Sequence, residues 1–182
     1  MLSQLQTENI DRVFTVLDMD GNDEITWADF EQVTAGLATE FGQEPNSGLI
    51  QDLLAAYARI WNYVREAADV NQDDSVGKAE FRDAHDQGLL TASDLMDKWL
   101  AAADACFAIA DTDGDGYIDQ DELTRVYRGA GITDPAVAAA AFAAMDSDND
   151  DRIDNEEFCA NVRGVFTATH ESMKGAHMLR LG

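Results

Sequence analysis

Aspartate opens four twelve-residue segments of this chain, and within each one oxygen-bearing residues recur at the same places. The segments are DMDGNDEITWAD (18–29), DVNQDDSVGKAE (69–80), DTDGDGYIDQDE (111–122) and DSDNDDRIDNEE (146–157). Position 1 is Asp18, Asp69, Asp111 and Asp146. Position 3 is Asp20, Asn71, Asp113 and Asp148, and position 5 is Asn22, Asp73, Asp115 and Asp150. Position 7, which would offer its backbone carbonyl, is Glu24, Ser75, Tyr117 and Arg152. Position 9 is Thr26, Gly77, Asp119 and Asp154, and position 12 is Asp29, Glu80, Glu122 and Glu157. Oxygen donors at this spacing suit a hard divalent cation that takes six to eight oxygens, Ca²⁺ above all. Asp-rich segments can also be ordinary solvated turns, but four of them sharing one arrangement argue for ion sites.

The four loops are not equivalent. The third is the most complete, with carboxylates at positions 1, 3, 5, 9 and 12 and Gly116 at position 6, where the chain must turn with φ > 0. The others carry Asp23, Asp74 and Asp151 there, at a conformational cost on the order of 1 kcal/mol. The fourth compensates with its own five carboxylates. The second has only Asp69, Asp73 and Glu80, helped by Asn71, and Gly77 must work through water. The first ends in Asp29, a methylene shorter than Glu, which favours six-coordination and tolerance of Mg²⁺. The expected order of affinity is third, fourth, then first and second.

Helices must hold these loops in place. Ile10, Val13, Phe14 and Leu17 precede the first loop at helical spacing, and Phe30, Val33 and Leu37 follow it. Trp61 and Val64 lead into the second, and Phe81 and Ala84 lead out. Phe107 and Ala110 precede the third, with Leu123, Val126 and Tyr127 after it. Phe142 and Met145 precede the fourth, with Phe158, Val162 and Val165 after it. Thr26-x-x-Asp29, Asp119-x-x-Glu122 and Asp154-x-x-Glu157 look like capping boxes, so loop and helix start would share residues. Asp134-Pro135 opens a further helix. Position 8 is β-branched throughout (Ile25, Val76, Ile118, Ile153), as a short strand pairing two loops would require.

Composition closes off other classes. The 182 residues hold 12 Lys+Arg against 36 Asp+Glu, a formal charge of −24. Such a charge opposes nucleic acid and anionic membranes as partners, both being polyanions. With 46% apolar residues the chain is no disordered acidic tail. The acids are concentrated: 22 of the 36 lie in the 48 loop positions, where Lys78 and Arg152 are the only bases. No run approaches a membrane span, and the N-terminus lacks the features of a signal peptide. Cys106 and Cys159 read as two buried, reduced thiols, so a cytoplasmic location is expected. Trp27, Trp61 and Trp99 read as core anchors rather than a small-molecule pocket. The histidines, 85, 170 and 177, read as scattered surface residues. No nucleophile–base set stands out, and an enzyme is not expected.

On these motifs the chain resembles the EF-hand superfamily. The loop starts are 51, 42 and 35 residues apart, and the long first interval is similar to that of sarcoplasmic calcium-binding proteins and their bacterial calerythrin-type relatives. The resemblance implies a compact molecule with long helices between the first two hands, the stretch Phe41 to Gly48 being the break between them. Some relatives have a degenerate second loop, whereas Asp69 to Glu80 keeps its ligands. The expected fold is all-α, with four helix–loop–helix units in two pairs and short β bridges between paired loops. Residues 1–90 would hold hands one and two, and 91–182 hands three and four with a C-terminal tail. Three to four Ca²⁺ ions are expected, with Mg²⁺ admissible at the first loop. The expected function is a cytoplasmic Ca²⁺ buffer or transport protein. The alternative is a sensor that exposes a groove to a target protein, which no feature indicates directly. A photoprotein is the remote third reading. The tail from Thr167 carries Met178, Leu179 and Leu181, either as a plug over the helices or as a frayed end.

Overall fold

Helix starts in this chain follow their capping residues. The computed structural model describes residues 4–90 and 93–167. In chain order they form α1 (Gln4–Leu17), β1 (Glu24–Ile25), α2 (Trp27–Glu40), α3 (Gly48–Ala68), β2 (Val76–Gly77) and α4 (Lys78–Asp86). Then come α5 (Ser93–Ala110), β3 (Tyr117–Ile118), α6 (Gln120–Gly129), α7 (Pro135–Met145), β4 (Ile153–Asp154) and α8 (Asn155–Thr167). Asp134 caps α7 by accepting from the Ala136 N–H at 2.9 Å, with Pro135 at the first helical position. The break between α2 and α3 falls at Phe41–Ser47: Gly42 adopts φ 60°, and the Ser47 hydroxyl accepts from the Ile50 N–H. The tail beyond Thr167, with His170 and His177, lies outside the described residues.

Two antiparallel ladders tie the loops in pairs. Glu24 faces Gly77 and Ile25 faces Val76; Tyr117 faces Asp154 and Ile118 faces Ile153. The four β-branched residues at position 8 are fully buried. Each ladder therefore anchors in the core rather than floating on the surface.

One apolar core runs through both halves of the chain. It takes in Phe14, Phe30, Leu37, Ile60 and Phe81 from the first half and Leu95, Ile109, Leu123, Met145 and Phe158 from the second. The helix pairs that join the halves are α3 with α5, α2 with α6 and α1 with α8. At the α2–α6 crossing the backbones themselves meet. A Cβ on Gly36 would stand 2.2 Å from the Gly129 carbonyl oxygen, and one on Gly129 3.0 Å from Leu37 Cα. Nothing but hydrogen fits at either place. Among the described residues, no helix is long and apolar enough to cross a membrane.

His85 corrects the sequence expectation. It is buried rather than at the surface, with its ring edge-on to Phe81 (4.7 Å) and stacked on Phe166 (5.8 Å). It lies on the inner face of α4, four residues after Phe81 and next to Ala84, both buried, and a lone imidazole gives no sequence signal of that. Neither ring nitrogen has a hydrogen-bond partner among the described residues. The cysteines are free thiols; burial pushes Cys106 up to about 12 and Cys159 up to about 11.

Two measurements check this packing. Gly36→Ala should lower stability by about 2 kcal/mol, the cost of forcing apart a filled contact, and thermal melting followed by circular dichroism will read it. A melt unchanged from wild type would mean that α2 and α6 part freely. Burial also pushes the His85 imidazole down to about 4 from an ordinary value of 6.5. Below 6.5 the unfolded chain takes up a proton that the folded chain refuses, so this contribution to stability is lost as pH falls from 6.5 towards 4. His85→Leu should flatten that window relative to wild type in denaturant titrations at several pH values.

Candidate metal centres

In each loop the position-1 carboxylate turns the chain back on itself. Asp18 accepts from the N–H groups of Asn22 (3.0 Å) and Asp23 (2.9 Å). Asp69 accepts from Gln72, Asp73 and Asp74, and Asp111 from Gly114, Asp115 and Gly116. Asp146 accepts from Asp150 and Asp151, both at 3.1 Å. Position 5 repeats the device on a smaller scale, Asn22, Asp73, Asp115 and Asp150 each accepting from the N–H two residues on. These bonds fix the side-chain oxygens on the inner side of each turn.

Position 12 closes the loop, and it does so identically in all four. One oxygen accepts from the N–H of position 2 and the other from the N–H of position 9. Asp29 takes Met19 (3.0 Å) and Thr26 (2.8 Å); Glu80 takes Val70 (3.3 Å) and Gly77 (2.9 Å). Glu122 takes Thr112 (2.8 Å) and Asp119 (3.1 Å); Glu157 takes Ser147 (2.8 Å) and Asp154 (3.2 Å). The shorter Asp29 therefore closes its loop as Glu does elsewhere. Loops three and four add a second bond, from the Thr112 and Ser147 hydroxyls, each at 2.6 Å. Asp119 and Asp154 also accept from the N–H of position 12 at 2.8 Å, completing the expected capping boxes. Thr26 and Asp29 form a capping box as well, and the Thr26 hydroxyl further donates to Asp29 at 2.9 Å.

The result is three groups of acidic side chains whose ligand oxygens lie within 4.8 Å of one another: Asp18, Asp20 and Asp29; Asp111, Asp113 and Glu122; Asp146, Asp148 and Glu157. The second loop brings no such triad together, because its position 3 is the amide Asn71. Its Asp73 is held by the Ser75 hydroxyl at 2.8 Å, and that bond first, with the Ser75 N–H, keeps the carboxyl below its ordinary range. Asp148 goes the other way. Desolvation raises it, and repulsion from Asp150, Glu157 and Asp146 adds to the rise. A cation among these groups would remove that repulsion.

The outward-facing members behave differently. Arg152 at position 7 of loop four turns its guanidinium over the Tyr117 ring, 4.5 Å from the centroid, so it stands across the ladder from loop three. Its backbone carbonyl remains the group it can offer. Trp27 stacks on Phe30 and Trp61 leans on the same ring, as core anchors do. Trp99 instead packs on Phe166 and lines an apolar cavity of about 170 Å³ with Tyr57, Cys106 and Tyr127.

Two features of the loops were not foreseen from sequence. Position 4 is left-handed in every loop, as position 6 is: Gly21, Gln72, Gly114 and Asn149 have φ 71°, 61°, 72° and 60°. The glycines and asparagine were the available signal, and Gln72 is the strained member. The second is the hydroxyl at position 2 of loops three and four, legible only once position 12 is known to reach back to it.

This is the EF-hand fold, mostly helical with small antiparallel strand pairs. Residues 100–163 match the EF-hand domain pair. The chain is 27% identical to calerythrin of Saccharopolyspora erythraea over 81 residues, 44% of this chain and 46% of that protein. The match thus spans about half the length of that relative. A Streptomyces coelicolor calcium-binding protein, described for calcium-mediated regulation in prokaryotes, superposes with a TM-score of 0.79 at 26% identity, covering 89% of this chain and 98% of that one. The sarcoplasmic calcium-binding protein of amphioxus gives 0.74 at 19% identity, with both chains covered completely.

The position-2 hydroxyl can be tested directly. Thr112→Val keeps the side-chain shape and removes the 2.6 Å bond to Glu122. It should cost about 1.5–3 kcal/mol, as a bond to a charged acceptor does, in urea unfolding of the ion-free protein. No loss would show that the hydroxyl is idle.

Proposed function

We propose that this chain is a cytoplasmic Ca²⁺ buffer or transport protein that holds ions in the loops 18–29, 69–80, 111–122 and 146–157. The observation that carries the reading is the convergence of positions 1, 3 and 12 in the first, third and fourth loops to within 4.8 Å. In each loop the residues at 1, 3, 5 and 12 would supply side-chain oxygens, position 7 a carbonyl, and position 9 a carboxylate, hydroxyl or bridging water. The loops work as two pairs, one in 1–90 and one in 91–182, joined by the two ladders.

Ion binding here is an electrostatic relief. The loops carry a net −20 and the chain −24; four Ca²⁺ would bring the chain to −16. Carboxylates that repel one another without an ion draw together around it, so binding and ordering are linked. The third loop should bind most tightly, with its complete donor set and Gly116. The fourth follows. The first tolerates Mg²⁺, and the second, lacking a carboxylate triad and straining Gln72, should be weakest. Buffering rather than signalling is favoured by the helices turning their apolar faces into one shared core.

A second reading, a sensor that regulates a target, is favoured by one finding: the Streptomyces protein of similar structure is described for calcium-mediated regulation. A hydrophobic dye separates the two. A buffer should leave dye fluorescence nearly flat on adding Ca²⁺, and a strong Ca²⁺-dependent rise would establish the sensor.

Calorimetric titration tests the ion-binding reading. Three to four Ca²⁺ per chain are expected, with the third and fourth sites retained in millimolar Mg²⁺ and the first weakened. Among position-1 variants, Asp111→Ala should cause the largest loss of affinity. A stoichiometry below two, or Asp111→Ala as the mildest variant, would overturn the assignment.

A further inference from the structure

The two helices that leave the first and third loops are built alike and touch without a cushion. Asp29 and Glu122, the position-12 groups, lie in the first turns of α2 and α6. Gly36 comes seven residues after Asp29, and Gly129 seven residues after Glu122. Two helical turns, about 10 Å of rigid rise, thus separate each position-12 carboxylate from the point where the backbones meet. There the space for a Cβ is already taken on both sides.

Beyond that point, α6 clamps the end of α2. The Arg125 guanidinium donates twice to the Glu40 carbonyl oxygen, at 2.6 and 3.2 Å, and its plane lies 4.3 Å from the Phe41 ring centroid. Arg128 donates to Glu40 Oε2 at 2.7 and 2.9 Å. Two positive side chains at a helix C-terminus oppose its negative dipole end. The partners of both arginines are Glu40 and Phe41 at the end of α2, not the acidic groups of a loop. Contact and clamp hold α2 and α6 together at two successive places.

We propose that the α2–α6 crossing couples the first loop to the third, so that an ion in either raises the affinity of the other. This rests on the ion-binding reading above. An ion that fixes position 12 fixes the direction of its exit helix, and through the crossing it pre-orders the partner helix and that helix's position-12 group. The strand ladders join loop one to two and three to four. The crossing joins one pair to the other, which neither ladder can do.

The test follows single loops by the amide signals of Ile25 and Ile118 in two-dimensional NMR during Ca²⁺ titration. In the otherwise wild-type chain, Asp111→Ala should raise the Ca²⁺ concentration that half-fills loop one by about fivefold or more, the lower end of ordinary coupling between sites. In the Arg125→Ala/Arg128→Ala background the same change should shift it less than about twofold. Circular dichroism checks that the variants fold. Should the double variant not fold, Glu40→Gln, which spares the carbonyl and breaks only the Arg128 ion pair, should still reduce the shift. Coupling is refuted if Asp111→Ala leaves loop one unmoved, or moves it equally in every background. A wild-type chain in which neither Ile25 nor Ile118 responds to Ca²⁺ would instead bring down the ion-binding reading, and the coupling with it.

Discussion

The bond on which this structure turns is the grip of the position-12 carboxylate on two backbone N–H groups of its own loop. One oxygen holds the N–H of position 2 and the other that of position 9, in all four loops. Because position 12 already lies in the first turn of the outgoing helix, this bond ties the start of the loop to the helix that leaves it. Loop closure, helix start and ligand placement are therefore one event. The same oxygens that cap the backbone are those an ion would draw on, so an ion competes for or shares a network already in place. A carboxylate held by fixed donors has lost its rotamer freedom before any ion arrives. Loop two shows what weakening costs: its position-2 bond is the longest at 3.3 Å, and Val70, with no hydroxyl to add, stands exposed.

From that grip the rest of the architecture follows outward. The exit helices carry the position-12 groups, so their directions matter, and two of them meet with no room for a Cβ between their backbones. Glycine at 36 and 129 sacrifices helix propensity, about 1 kcal/mol each, for an approach that no other residue allows. The β-branched residues at position 8 do the opposite, filling the space under the ladders completely. Close approach at one place and dense filling at another give a body in which the two halves share one core. In such a body, movement of one loop cannot be absorbed locally.

Charge sets the sign of the remaining balance. Asp148 is pushed up by its acidic neighbours, while Asp73 is held down by Ser75, so the loops differ in how much repulsion an ion would relieve. Loop four, richest in acids, has the most to gain. Several arginines pair away from the carboxylates at positions 1, 3, 5 and 12: Arg82 on Asp11, Arg65 on Asp74, Arg125 and Arg128 on the end of α2; Arg152 lies over Tyr117 and also within 4.0 Å of Asp150. Arg65 reaches from α3 to Asp74, in the loop that lacks an acidic triad.

The sequence by itself determined the four acidic loops and the flanking helices, because each of these is local, and the constant β-branched residue at position 8 marked the strands that pair them. A twelve-residue spacing, a capping residue three before an acid, and a β-branched residue at a constant offset all act within one turn or one ladder. The break from Phe41 to Gly48 and the opening at Asp134-Pro135 were legible for the same reason. Tertiary structure alone decided three things. It brought Gly36 against Gly129, where a helical glycine in isolation reads only as a poor helix former. It buried His85 between Phe81 and Phe166, since the face a single imidazole occupies depends on which helices pack over it. It also set Arg125 and Arg128 on the end of α2, 85 and 88 residues away from Glu40 in the chain. Those contacts join elements distant in sequence, and no periodicity within either element encodes which partner the other will meet.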